Sequence, residues 1–275
     1  MPIPEITRRF AEEPEPFIEQ EVPTTRRIRA ETFTMILSPS PNQAIVSAVR
    51  TTVEGLDATI AEARAELRAS GYTGCVWAVG PSCRPEGLRE LLLARGFVPA
   101  TRPPFEPVVA AMALASPPPA PRAGVEARVV RDYDEYVLAM RIALKAFGES
   151  EEESAAWLDA APKMWAHGFA ANLTHLAFID GLPIGFGWVV PTPAGIILGG
   201  SGVVPEARGK GAYRALISAR WNVAVALGTP ALTIHAGAMS TPILERCGFE
   251  TICRVDQLDD RPLWNETEGQ RARAP

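Results

Sequence analysis

From Ile196 to Val204 the chain reads as an apolar strand, and from about Gly209 to Ala226 as a helix closed by Gly228; the turn between them is Arg208-Gly209-Lys210-Gly211. A second strand is expected at Ala231 to His235, so the helix is a crossover and the two strands form a parallel pair. That arrangement confines this part of the chain to α/β architectures. Glycines in the turn let backbone N–H groups point one way and approach a ligand closely, and the helix adds its positive N-terminal end, so the turn has the chemistry of an anion cradle. A tight connection with no ligand would use the same residues. Neither GxxxxGK[ST] nor a GxGxxG followed by an acidic residue about twenty positions later is present, which removes the usual phosphate signatures of ATP and NAD.

Around this turn the elements are legible. A strand is expected at Val125 to Val130, and Asp132-Tyr133-Asp134-Glu135 is a capping-box match opening a helix to about Phe147. Ser150-Glu151-Glu152-Glu153 is another, for a helix through Trp157 and Trp165. Strands follow at Leu173 to Ile179, Pro183 to Val190 and Ile196 to Val204, with turns at Asp180-Gly181 and Ala194-Gly195. After the crossover come a helix from Pro242 to Cys247, stopped by Gly248, and a last strand near Thr251 to Leu258. The order is βααβββαβαβ.

Ahead of it, Ser116 to Gly124 is a proline-rich spacer and marks the expected boundary between residues 33–115 and 125–275. Residues 1–32 read as an irregular arm with at most one short helix. In 33–115, Ser40-Pro41-Asn42-Gln43 looks like a helix start and predicts a long helix to about Ser70; strands are expected at Cys75 to Val79 and Val108 to Leu114, with a helix from Pro85 to Arg95.

Composition narrows the function classes. A net charge of −5 gives no basic field, so no nucleic acid and no membrane partner is expected, and no run reaches the length of a membrane span. The four cysteines form no CxxC and the three histidines lie far apart, so neither a metal nor a disulfide framework is expected; the reading is a reduced, cytoplasmic protein.

The hexapeptide Arg208-Gly209-Lys210-Gly211-Ala212-Tyr213, preceded by Val-Val-Pro-Glu on the exit of a strand, fits [Q/R]-x-x-G-x-[G/A] at every position but the last and resembles the GCN5-related N-acetyltransferase (GNAT) superfamily. Ile243-Leu244-Glu245-Arg246-Cys247-Gly248-Phe249-Glu250 resembles that family's late helix and Gly-Phe ending, and the element order after residue 125 is the family's order. The resemblance implies an α/β (α+β) fold with a mixed central sheet flanked by helices, acetyl-CoA as co-substrate, and no metal. It implies that Val203 and Val204 meet the pantetheine arm while the turn, Arg208, Gly209, Lys210, Gly211 and Ala212, with Tyr213 and Arg214 behind it, meets the pyrophosphate. Tyr213 departs from the family's small residue and must point away from the phosphates. Leu92-Leu93-Ala94-Arg95-Gly96-Phe97 echoes Leu244 to Phe249, so 33–115 is read as a smaller, degenerate GNAT-like domain that lacks the cradle and binds no CoA, with a single linking helix before a Gly-Phe strand as the alternative.

The tyrosine that many members of the family use as the acid falls on Leu244, and the frequent asparagine near Gly237. Candidates for proton transfer are therefore Ser240, Thr241, His235 and Tyr213. Thr241 before Pro242 is equally a helix cap, His235 a structurally satisfied histidine, and Cys247 a small buried filler. The acidic residues Glu149, Glu151, Glu152 and Glu153 suit a cationic amine or simply a helix N-terminus, and Trp157, Trp165 and Trp188 either wall an apolar acceptor pocket or fill a core. The function expected is acetyl transfer from CoA to a primary amine, small molecule or peptide, by direct transfer, with homodimerisation open. The alternative is a non-catalytic acyl-CoA sensor of the same fold.

Overall fold

The computed structural model describes residues 2–19, 25–37, 44–102, 105–148, 151–166 and 173–260. In the first half the elements are α1 (Glu5–Glu12), β1 (Arg26–Arg29), β2 (Thr34–Leu37), β3 (Ala44–Ser47), α2 (Leu56–Ala69), β4 (Cys75–Val79), α3 (Leu88–Leu93), β5 (Val98–Pro99) and β6 (Val108–Leu114). In the second they are β7 (Val125–Val129), α4 (Tyr133–Phe147), α5 (Glu151–Ala166), β8 (Thr174–Ile179), β9 (Leu182–Thr192), β10 (Gly195–Val203), α6 (Ala212–Ala226), β11 (Leu232–Ala236), α7 (Thr241–Glu245) and β12 (Glu250–Asp259). The order of the second half is the one read from the sequence. Two compact units result: unit I is Met1–Phe10, Met112–Ile234 and Pro242–Glu250, and unit II is Ala11–Ala111, His235–Thr241 and Thr251–Pro275.

In unit I, β7, β8, β9 and β10 pair antiparallel in sequence, and β10 then pairs parallel with β11. Strand alternation divides the apolar residues between two faces. Leu176, Phe178 and Phe186 pack on one face with Tyr136, Ala139, Ile142 and Ala146 of α4, and Ala177 packs on the other with Ala212 and Leu216 of α6. The start of α4 is capped as expected: Asp132 is extended and its carboxylate accepts from the Glu135 N–H at 2.9 Å, while left-handed Gly148 (φ 73°) follows the last turn. Glu135 in turn accepts from both terminal nitrogens of Arg128, at 2.7 and 2.8 Å, and from the Arg131 N–H at 2.9 Å.

Unit II is built on the same plan. Strand β3 leads through a turn into α2, returns as β4 parallel to β3, and continues into α3 and β5. This matches β10, α6, β11, α7 and β12 in order, and Gly96 and Gly248 take the same left-handed conformation, at φ 86° and 95°. Its core is formed by Phe33, Met35, Leu56, Leu67, Trp77, Leu92 and Phe97, with the Trp77 and Phe97 rings edge to face at 5.5 Å.

Three expectations are corrected. The segment 1–32 is not irregular throughout, since it holds α1 and also β1, whose Arg26 to Arg29 pair with Leu37 to Thr34 of β2. The long helix to Ser70 is shorter and begins at Leu56; Ala44 to Ser47 is instead a strand, because a short stretch containing Ile45 and Val46 is worth more paired beside β4 than coiled. The four residues read as that helix's start lie outside the described residues. Finally, the compact units do not follow the linear division at 116–124: β12 pairs antiparallel with β4, from Asp256↔Val79 to Asp259↔Val76, so residues from Thr251 onward belong with unit II. No sequence pattern states which sheet edge a strand will join.

Candidate active site

The parallel register of β10 with β11 covers two pairs only, Ile196↔Leu232 and Ile197↔Thr233, whereas β10 runs on to Val203. On its other side β10 stays bound to β9, through Ser201↔Gly187, Gly202↔Phe186 and Val203↔Gly185. The Val204 N–H donates to the Ile184 carbonyl at 3.0 Å, so by antiparallel alternation the backbone groups of Val203 and Ser201 point away from β9. One edge of β10 therefore presents donors and acceptors that β9 does not use. Of the Val203 groups the carbonyl already accepts from Arg208 Nε at 3.2 Å, which leaves the N–H. Val204 offers less than the sequence suggested, because its carbonyl accepts from the Ala207 N–H at 2.9 Å and its N–H is spent on Ile184.

The chain then makes one short 3-10 turn, Pro205–Ala207, before the glycines. Gly209 sits at φ 77° and Gly211 at φ 100°, both in the left-handed region that a side chain resists. No side chain caps α6; its first intrahelical bond runs from the Ala215 N–H to the Gly211 carbonyl at 3.2 Å, and the N–H groups of the first turn have no intrahelical acceptor. A Cβ on Gly211 would stand 3.2 Å from Arg122 Cδ, which places an exposed arginine of the proline-rich spacer beside the turn. Lys210 is exposed, and Arg208 is pinned by a second bond to the Ala146 carbonyl at 3.0 Å, while Glu206 pairs with Lys145. The helix end, Arg122 and Lys210 make this corner of unit I positive. In unit II the corresponding turn is filled from within: Thr52 Oγ1 accepts from the Gly55 N–H at 3.1 Å, and Thr51 Oγ1 would lie 2.8 Å from a Cβ on Gly55.

The remaining candidates are distributed unevenly. Ala212 is buried and Arg214 half-buried at the start of α6, with Cys247 nearby; burial pushes the Cys247 thiol up and the Arg214 guanidinium pulls it back. Tyr213 is half-buried beside Arg220, and burial raises its hydroxyl pKa against the opposing pull of that guanidinium, so it stays protonated at neutral pH. His235, Ser240 and Thr241 belong to unit II. His235 Nε2 lies 3.0 Å from the Ala11 carbonyl and 3.1 Å from that of Glu12, which is the contact of a satisfied histidine. The Thr241 hydroxyl donates to the Gly237 carbonyl at 2.9 Å, and Ser240 is half-buried in the turn before α7. Two features of that turn had no signal in the sequence: Glu106 accepts from the Ala238 N–H at 2.9 Å and occupies the space over Gly237. Leu244, at the tyrosine position, is fully buried. Of the tryptophans, Trp165 packs between Tyr133 and Tyr136, with centroids at 6.0 and 5.6 Å, while Trp188 is 39% exposed; the side chains of Trp157 and of the acidic run at 149–153 lie outside the described residues.

No protein-family model matches the sequence, and no curated protein matches it. Solved structures do share its fold. A GCN5-related N-acetyltransferase from Kribbella flavida superposes with a TM-score of 0.63 at 19% identity, over 93% of this chain and 95% of that one. A GCN5-related N-acetyltransferase from Sphaerobacter thermophilus gives 0.58 at 18% identity, over 84% and 81%. A tandem GNAT protein from the clavulanic acid biosynthesis pathway gives 0.56 at 17% identity, over 87% and 84%. The chain thus has the GNAT fold, and the likeness extends through both halves.

Proposed function

We propose that this chain is an acetyl-CoA-dependent N-acetyltransferase that moves an acetyl group to a primary amine of a small molecule or peptide by direct transfer. The observation that carries the reading is the contrast between the two turns: the one ahead of α6 is uncapped, glycine-spaced and flanked by Arg122 and Lys210, whereas its counterpart in unit II is occupied by Thr51 and Thr52. Backbone N–H groups of Gly209, Lys210, Gly211 and Ala212 would hold the pyrophosphate, with Arg122, Lys210 and Arg214 supplying charge. The Val203 N–H would hold the pantetheine arm, as an added strand edge would. Acetyl-CoA would supply the acyl group already activated as a thioester, so the residues are left with orientation, exclusion of water and proton transfer. Tyr213, which keeps its proton, is restricted to the donor role. His235 remains a candidate base or acid and Ser240 and Thr241 candidates for hydroxyls facing the CoA sulfur, as proton donors only, and a reducing cytoplasm suits the four free cysteines.

A second reading, an acyl-CoA sensor, is favoured by one fact: Leu244 puts a fully buried apolar side chain where a proton donor is expected. Melting with and without acetyl-CoA, with ADP and desulfo-CoA as controls and thiol release recorded on adding amines, separates the two. Ligand at a hundred times its dissociation constant stabilises by about 2.7 kcal/mol. Stabilisation with thiol release supports the enzyme, stabilisation with no release from any amine supports the sensor, and absence of stabilisation defeats both.

A further inference from the structure

In unit II, residues 80–90 leave the carboxyl end of β4 as a loop and the first turn of α3, and between them and β12 lies a pocket of about 350 Å³. That volume is in the range of small-molecule sites, and the carboxyl ends of parallel strands, here β3 and β4, are where open α/β sheets bind ligands. The pocket is preformed. Glu12 accepts from the Ser82 N–H and, at 2.9 Å, from the Ser82 hydroxyl; the Cys83 N–H donates to the Gly80 carbonyl at 3.1 Å, and the Leu88 N–H to that of Pro85 at 3.2 Å. Behind them the Arg84 N–H donates to the Val49 carbonyl at 2.9 Å and the Thr51 N–H to the Arg84 carbonyl at 3.3 Å, so the segments leaving β3 and β4 stay joined. In unit I, by contrast, the parallel pairing of β10 with β11 stops after two residues. The gap a pantetheine arm would need between β3 and β4 is closed, and the pocket calls for a different occupant.

Its charges point to the class of that occupant. The guanidinium groups of Arg84, Arg89 and Arg254 and the carboxylates of Glu86, Glu90 and Asp256 line it, so its total charge is zero. Arg89 is already engaged: Nε donates to Asp256 at 3.1 Å and Nη1 to Glu90 at 3.1 Å. Arg84 Nη1 donates to the carbonyls of Pro81 and Cys83, at 3.1 and 2.8 Å, and its charge meets no carboxylate among the described residues. Arg254 and Glu86 are exposed and have no hydrogen-bond or ion-pair partner among the described residues. Both signs of charge are thus left unsatisfied at one pocket. A simple anion there would face Glu86, and a simple cation would face Arg84 and Arg254, whereas a ligand carrying both signs avoids either like-charge contact. A guanidinium fork matches a carboxylate, and a carboxylate matches an ammonium. Buried Val79 and Leu88 add an apolar wall.

We propose that this pocket of unit II binds a free amino acid, with Arg84 and Arg254 on its carboxylate, Glu86 on its ammonium, and Val79 and Leu88 against its side chain. The site goes beyond the transferase reading and does not depend on it.

The test uses the full chain and, as probes, the twenty protein amino acids one at a time at about 10 mM, with the amide resonances of Gly87 and Arg254 observed by NMR. The amino acid that shifts them most is then titrated beside two analogues, one lacking its ammonium and one lacking its carboxylate. The intact amino acid is expected to bind with a Kd of about 1 mM or below, and each analogue at least about tenfold more weakly. Arg254→Ala and Glu86→Gln alter exposed side chains that have no partner among the described residues, so both should fold as wild type, and each should weaken binding by about tenfold or more. Unmoved Gly87 and Arg254 resonances with all twenty probes overturn the proposal. So does binding indifferent to both variants, and so does an analogue without the ammonium that binds as tightly as its parent, since that describes a simple anion site. An amino acid that moves resonances of unit I alone is an acceptor of the transferase; it overturns this site while supporting the reading above, and failure of acetyl-CoA to bind leaves this site standing.

Discussion

Replacing Gly211 by alanine and by glutamate separates the backbone demand of the turn from its proposed ligand. Gly211 sits at φ 100° and ψ 0°, so any L side chain there costs about 1–2 kcal/mol of folding free energy. The contact cost is small, because the atom a Cβ would approach, at 3.2 Å, belongs to the exposed side chain of Arg122. Glutamate adds a negative charge at the N-terminal end of α6, which favours the helix by about 0.3–1 kcal/mol. Gly211→Glu should accordingly be no less stable to urea than Gly211→Ala. Binding should divide them. A carboxylate roughly 5 Å from a phosphate, at an effective dielectric of about 20, is repelled by about 3 kcal/mol, or about two decades in dissociation constant. Titration calorimetry with acetyl-CoA reads this directly. If the glutamate variant binds acetyl-CoA as well as the alanine variant does, no phosphate lies near this turn and the cradle assignment is wrong.

Two further predictions concern unit I without any ligand. His175 of β8 is fully buried, and burial first, then the nearby Arg220, lowers its folded pKa to about 4 from the ordinary 6.5, so as pH falls the unfolded chain takes up the proton first and stability is lost through that window. Urea unfolding should show a loss of about 2 kcal/mol between pH 7.5 and pH 5 that His175→Gln abolishes; an equal loss in the variant would assign it to other groups. Glu135 is shifted the opposite way: hydrogen bonds from Arg128 first, and from Arg131, hold its carboxyl well below the usual range, so its contribution is present above the ordinary 4.5 and is lost as pH falls through the folded value. Glu135→Gln should cost about 1–2 kcal/mol at pH 7, the lower end reflecting the exposure of Arg131, and almost nothing in strong acid; a cost independent of pH would contradict the ion-pair account.

Much of the fold was legible because local rules sufficed. Asp132 and Glu135 announced α4, Gly228 and Gly248 closed α6 and the turn after α7, and the run from Ile196 to Val203 could only be a strand. The candidate cradle was legible for the same reason: a left-handed glycine is needed where it stands whatever surrounds it. The buried Arg220, whose guanidinium lies over Gly187, was missed although a signal existed, for it stands one turn from Leu216 and from Ala224 on the apolar stripe of α6, where a charge is out of place. Glu106 over Gly237 and the Gly187 seat of Arg220 gave no such signal, since each depends on residues distant in sequence meeting in space.

By itself, then, the sequence determined the periodic elements, their order, the glycine turn and the repeated Gly-Phe endings, because these depend on φ, ψ and hydrophobic period within a few residues. Only the tertiary structure decided that Ala44 to Ser47 is a strand beside β4, that β12 joins the sheet of unit II, that parallel pairing of β10 with β11 stops after two residues, and that a buried guanidinium rests on Gly187. Those outcomes are set by competition among sheet edges and by the cost of burying polar groups, and both are properties of the packed molecule that no short segment carries.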